Sequence, residues 1–149
     1  MTKVTVATKV FAPAEEVWRL VGGWNGLPGW HPAVQTSSLE EGGQLRRLRL
    51  ADGTEITERL ETFDGEAKSY TYSVVTCSLP LTDYRSTISV QREGEKSTIE
   101  WSTTFRPVNV PENELSRSLQ TFYEQGFDNL RKLLGTKAAP GPGIPDGDR

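Results

Sequence analysis

The stretch "ENELSRSLQTFYEQGFDNLRKLLG", Glu112 to Gly135, decides the fold. Leu115, Leu119, Phe122, Gly126, Leu130 and Leu133 recur every three or four residues, which lines them up as one apolar stripe on an α-helix. Glu112 and Glu114 stand in the first turn, where the positive end of the helix dipole favours them. Arg131 and Lys132 stand in the last turn, and Gly135 follows as a stop. The spacing predicts a helix over about Glu112 to Leu134. A helix with one apolar side draws its stability from a surface packed against that side, so the rest of the chain must supply one.

Upstream lie "AVQTSSLEE", "QLRRLRLA", "TEITERLETFD", "KSYTYSVVTCS", "YRSTISVQRE" and "KSTIEWSTTF", strand-like segments separated by the turn signals "EGG", "DG", "DGEA", "SLPLTD" and "EGE". Connections this short suit antiparallel neighbours, because parallel ones need long crossovers. The N-terminal "TKVTVATKVF" adds a strand with Val4, Val6, Thr8 and Val10 on one face. "APAEEVWRLVGG" then reads as a short helix, with Pro13 at its start, Val17, Leu20 and Val21 on one face, and Gly22 and Gly23 at its end. The expected architecture is α+β: a curved antiparallel sheet of about seven strands wrapped around the long C-terminal helix. A sheet gripping one helix leaves space between them, and that space is a natural ligand cavity. Residues 1–135 would form this domain, and "TKAAPGPGIPDGDR", residues 136–149, a flexible Pro/Gly-rich tail.

Net charge is −3 over 149 residues, which argues against nucleic acid or an anionic membrane as partner. The densest basic cluster, Arg46, Arg47 and Arg49, sits in an alternating segment that splits it between two faces. The one cysteine, Cys77, excludes a disulfide scaffold and has no metal-ligand spacing around it. The N-terminal stretch alternates rather than forming an apolar signal run, and no segment approaches the ~20 apolar residues of a membrane span. The expectations are a cytoplasmic location, no stable membrane insertion, no cofactor and no metal.

"GGWNGLPGWHP", Gly22 to Pro32, sets Trp24, Trp30 and the only histidine, His31, among helix- and strand-breaking residues. His31 lacks a local orienting carboxylate and reads as structural. Trp24, Leu27 and Trp30 are expected to fold down over the mouth of the cavity. Ile56, Glu58 and Leu60 share a strand face by the two-residue period. Glu58 facing inward needs a partner, water or a raised pKa. An outward register, or a structural ion pair with an arginine, is the other reading. Tyr72, Tyr84 and Ser86 bring hydroxyls to neighbouring strands, whereas Trp101 and Phe105 share a phase that reads as core. Leu48 and Leu50 alternate with Arg47 and Arg49, so those arginines read as exposed; on an inward face they would instead reach an acidic ligand. Gly126 interrupts the helix stripe, so room is needed there, either for close packing or for a ligand.

Taken together, "APAEEVWRLVGGWNGLPGWHP", "LRRLRLADGTEITERLETFD", "SYTYSVV", "YRSTISV", "IEWSTTF" and the final helix resemble the polyketide cyclase/dehydrase-like proteins of the START-like, Bet v 1-like (SRPBCC) helix-grip superfamily. "ERLETFD" and "VNVPEN" also bear a distant likeness to the plant abscisic-acid receptors. That likeness implies pocket positions for Tyr72, Leu81, Tyr84, Ser86 and Phe122, and for Glu58 a carboxylate that organises water and a bound polar group. "LADGTE" replaces the receptors' gate motif, so abscisic-acid binding is not implied. The candidate ligand-binding set is Trp30, Glu58, Tyr72, Leu81, Tyr84, Ser86, Phe122 and Gly126. The resemblance implies binding of a small hydrophobic molecule such as a lipid or polyketide. The alternatives are an aromatase/cyclase-type enzyme, in which Glu58 and a tyrosine would transfer protons, and a protein-interaction module without ligand.

Overall fold

The computed structural model describes residues 1–134. Its elements are β1 (Thr2–Val10), α1 (Ala14–Val21), β2 (Val34–Glu40), β3 (Leu45–Leu50), β4 (Glu55–Asp64), β5 (Ser69–Cys77), β6 (Leu81–Glu93), β7 (Lys96–Pro107) and α2 (Glu112–Leu133), with short 3₁₀ turns at Leu27–Gly29 and Glu41–Gly43. The tail expected over residues 136–149 lies outside the described residues. Every strand pairing is antiparallel, in a seven-stranded sheet ordered β1-β7-β6-β5-β4-β3-β2. The expected sheet-around-helix arrangement is therefore present. Among the described residues no helix is long and apolar enough to cross a membrane.

The pairing closes β1 onto β7, with Val6 opposite Trp101, so the first and last strands carry the side of the sheet on which α2 lies. In β1 the two-residue period holds: Thr2, Val4, Val6 and Val10 are buried and alternate with exposed residues. In α2 the expected stripe is rotated. Leu115, Leu119, Tyr123, Gly126, Phe127 and Leu130 are buried. Leu133, expected inside, is 50% exposed, and Leu134 takes the inward place. Phe122, also expected on the buried stripe, is half-buried at its edge. Stepping by four from Leu115 through Leu119 leads to Tyr123 and Phe127, so the buried line runs one residue C-terminal to the aliphatic pattern.

Irregularities in the ladder change which side chains face inward. Thr57 pairs with Thr76 but Glu58 with Val74, so Val75 is an extra residue in β5. Val75 is 45% exposed, whereas Val74 and Cys77, three apart, both turn to the interior. On β6, Thr82 pairs with Arg106 and Arg85 with Thr104, and Asp83 takes a φ of 55° at this bulge. As a result Leu81 and Tyr84 share the inner face. The "SLPLTD" segment, expected as a turn, is already strand from Leu81 onward.

Candidate functional site

Between the N-terminal half of α2 and the inner faces of β3 to β6 lies a cavity of about 220 Å³. Leu48 and Leu50 of β3, Ile56 of β4, Val74 of β5 and Leu115, Leu119 and Phe122 of α2 form most of its wall. Asp52, Thr54 and Ser118 stand on its outer side and are not buried, so the mouth opens between the β3–β4 turn, the β5–β6 turn and α2.

Of the sequence-predicted site residues, the fold brings Glu58, Tyr72, Leu81, Tyr84 and Phe122 to this wall, and leaves Trp30, Ser86 and Gly126 off it. Trp30 is buried to 1% and packs on Trp101, with ring centroids 5.6 Å apart. Ser86 is consumed in a hydroxyl chain beneath the wall, 2.8 Å from Thr103. A Cβ on Gly126 would lie 2.6 Å from the His31 ring and 3.0 Å from Trp30, so this glycine makes room for the loop and not for a ligand.

The Gly22–Pro32 loop accordingly does not cover the mouth; among its residues only Leu27 reaches the cavity. Several bonds pin it. Nε1 of Trp24 donates to the Gly43 carbonyl at 3.0 Å, and Asn129 donates to the Trp30 carbonyl at 3.0 Å. Nδ1 of His31 accepts from the Ala33 amide at 3.2 Å, so the proton sits on Nε2, which donates to the Phe122 carbonyl at 2.8 Å. The ring also stacks on Phe122 at 4.1 Å. Burial holds His31 down at a pKa of about 4, against the opposing pull of its bond to Phe122. It is neutral at pH 7, with both nitrogens engaged, and anchors the loop to α2.

The charged centre of the site is an ion pair. Arg46 lies opposite Glu58 in the β3–β4 register, in phase with the cavity-facing Leu48 and Leu50. Its Nε donates to Oε1 of Glu58 at 2.7 Å, and its Nη1 to the Trp24 carbonyl at 2.7 Å. The guanidinium lies 3.9 Å from the Trp24 ring centre and 4.9 Å from that of Tyr72. Nη2 has no partner among the described residues, so the pair is single-pronged. Burial pushes the Glu58 carboxyl up, and the adjacent Arg46 pulls it back. Arg46 is not among the sequence-predicted site residues, where only Arg47 and Arg49 of the basic cluster are weighed as ligand contacts. Its two-residue phase with Leu48 and Leu50 is the signal that marks it as inward.

Two further polar groups reach the wall. Tyr72 accepts from Nε1 of Trp101 at 3.0 Å, and its own proton has no acceptor among the described residues. Tyr84 contacts the Tyr123 hydroxyl, which contacts Thr103, which contacts Ser86. Ser86 is 3.3 Å from the Ser102 carbonyl, an obligate acceptor. Each hydroxyl has one proton, so donation runs from Tyr84 through Tyr123 and Thr103 to Ser86 and out to that carbonyl. Tyr84 thus spends its proton inward and offers the cavity a lone pair. Burial raises all three tyrosines, with Tyr123 at about 12, so they stay neutral.

Trp101 and Cys77 also line the cavity, though Trp101 reads in the sequence as plain core. Burial pushes the Cys77 thiol up, which disfavours the thiolate a nucleophile needs. Among the described residues no cluster of His, Cys, Asp and Glu is arranged to hold a metal ion.

The chain is similar to known proteins over nearly its whole length. It is 40% identical to XoxI of Bacillus cereus, covering 89% of this chain and 95% of that one with a TM-score of 0.87. It is also 40% identical to an uncharacterized protein of Bacillus thuringiensis, covering 89% and 98% with a TM-score of 0.85. The di-domain ARO/CYC protein BexL of the BE-7585A biosynthetic pathway shares the fold, with a TM-score of 0.75 at 20% identity over 87% of this chain and 45% of BexL. No curated protein matches. The model of the family described as polyketide cyclase / dehydrase and lipid transport matches residues 1–135, and the chain belongs to that family.

Proposed function

We propose that the chain binds a small, predominantly apolar molecule in the cavity between α2 and the sheet. The observation that carries this reading is the cavity itself: about 220 Å³, walled by leucine, isoleucine, valine and aromatic side chains, with Glu58, Tyr72 and Tyr84 as its inward polar groups. Apolar walls with a few placed polar groups are what small-molecule sites have in common. The family's description, which includes lipid transport, supports the same reading. An interaction module without ligand would have no use for such a space.

A second reading, a cyclase that moves protons through Glu58, draws support from the family's cyclase members and from the burial that raises this carboxyl. Against it, Arg46 at 2.7 Å favours the carboxylate, and the Tyr84 proton is committed to Tyr123.

Native mass spectrometry of the protein purified without denaturants tests the proposal. The expected result is an added mass of one small molecule, lost on denaturation. Val74→Trp, which fills the cavity from the β5 wall, should fold and lack that mass. The same added mass on wild type and on folded Val74→Trp would overturn the cavity as the site. Turnover of the captured molecule that vanishes in Glu58→Gln would favour the enzyme.

A further inference from the structure

Resting on that reading, we infer that the cavity selects compact, uncharged molecules that donate a hydrogen bond, such as phenols, and turns away carboxylates. The argument begins with what the polar groups have left over. Glu58 is 5% exposed and lines the cavity; Oε1 takes the Arg46 guanidinium, and Oε2 has no hydrogen-bond partner among the described residues. That oxygen is an acceptor awaiting a donor. Tyr84 adds a second acceptor, because its proton already goes to Tyr123. Tyr72, beside these acceptors on the wall, supplies a donor, since its hydroxyl proton has no acceptor among the described residues. A ligand hydroxyl matches this set, since it donates to a carboxylate and accepts from a phenol.

Among the described residues, the only buried cation near the wall does not reach it. Arg46 is fully buried, bonded to Glu58 and to the Trp24 carbonyl, and held between the Trp24 and Tyr72 rings. An anionic ligand would therefore meet the Glu58 carboxylate and a lone pair in an apolar enclosure, where like charges repel strongly. Size sets the other limit. About 220 Å³ falls below the ~300–1,000 Å³ common for ligand pockets, which suits one or two rings rather than an extended acyl chain.

Three probes of one shape separate these terms: naphthalene, 2-naphthol and 2-naphthoate, titrated at neutral pH and followed by NMR shifts of the cavity residues. The expected order is 2-naphthol about tenfold tighter than naphthalene and about a hundredfold tighter than 2-naphthoate, from one hydrogen bond to a charged acceptor and one like-charge repulsion. In Glu58→Gln the preference for 2-naphthol over 2-naphthoate should collapse to within about tenfold. Arg46→Met combined with Glu58→Gln gives the same readout if the single variant, with Arg46 unpaired, does not fold. If 2-naphthoate binds the wild type as tightly as 2-naphthol, or if the variant keeps the full preference, the inference is overturned while the cavity reading stands. Failure of all three probes, naphthalene included, would overturn the cavity reading as well.

Discussion

The Gly22–Pro32 loop and the cavity are built from the same kind of residue, buried aromatics around one ionisable side chain, yet they end in opposite states. In the loop, both nitrogens of His31 have partners, and the Trp30 and His31 rings fill the space beside Gly126, although Trp30 Nε1 has no partner among the described residues. On the cavity wall, Glu58 engages one oxygen and leaves the other without a hydrogen-bond partner among the described residues. A buried polar group whose valences are all filled specifies a conformation; one left half-filled is poised for a ligand. The contrast supports the proposed site in the sheet over one in the loop, although the loop has the more conspicuous sequence.

The largest test of this contrast is Trp30→Ala. If the loop is solid packing, deleting its 1%-exposed ring should cost about 3–5 kcal/mol by chemical denaturation. A cost under about 1 kcal/mol would mean that the loop is loosely held. Arg46→Met comes next. It strands the Glu58 carboxylate and should cost about 3 kcal/mol or more, with most of that recovered when Glu58→Gln is added. Independent, additive losses would show that the pair is not coupled.

The third test uses pH. His31 titrates at about 4 in the folded protein against an ordinary value near 6.5. Its folded pKa is depressed, so the unfolded chain binds the proton first. Stability from this residue is complete above about pH 6.5 and is lost as pH falls toward 4, by as much as about 3 kcal/mol. His31→Gln should remove that slope between pH 6.5 and 4, leaving acid loss only from carboxylates. An unchanged profile would mean that His31 is solvated. The smallest effect belongs to Phe122→Ala. Its half-buried ring borders open space, so the expected cost is about 1–2 kcal/mol, well short of Trp30→Ala.

Much of the scaffold was legible because it rests on periodicity. The alternation in β1, the terminal charges of α2 and the turn signals between strands are local, and local energetics fix them. The site was legible only in part. Glu58 and Tyr72 stand where strand phase and family likeness put them, and both reach the cavity. Trp30, Ser86 and Gly126 do not, because each has a nearer partner that the linear sequence does not display: Trp101, Thr103 and the His31 ring.

By itself, then, the sequence determined an antiparallel sheet with one amphipathic helix across it, since apolar side chains spaced for a strand or a helix turn have to share a face. Tertiary structure alone decided the rest. Bulges at Val75 and Asp83 turned Cys77 and Leu81 inward, against the two-residue count. The β3–β4 register set Arg46 opposite Glu58 and used up one of its oxygens. The pinned loop closed against Gly126, so the mouth opened on the far side, between the β3–β4 and β5–β6 turns. The reason is physical: periodicity orients a side chain, but only the neighbours that arrive from distant parts of the chain determine whether its hydrogen bonds and its volume are already taken.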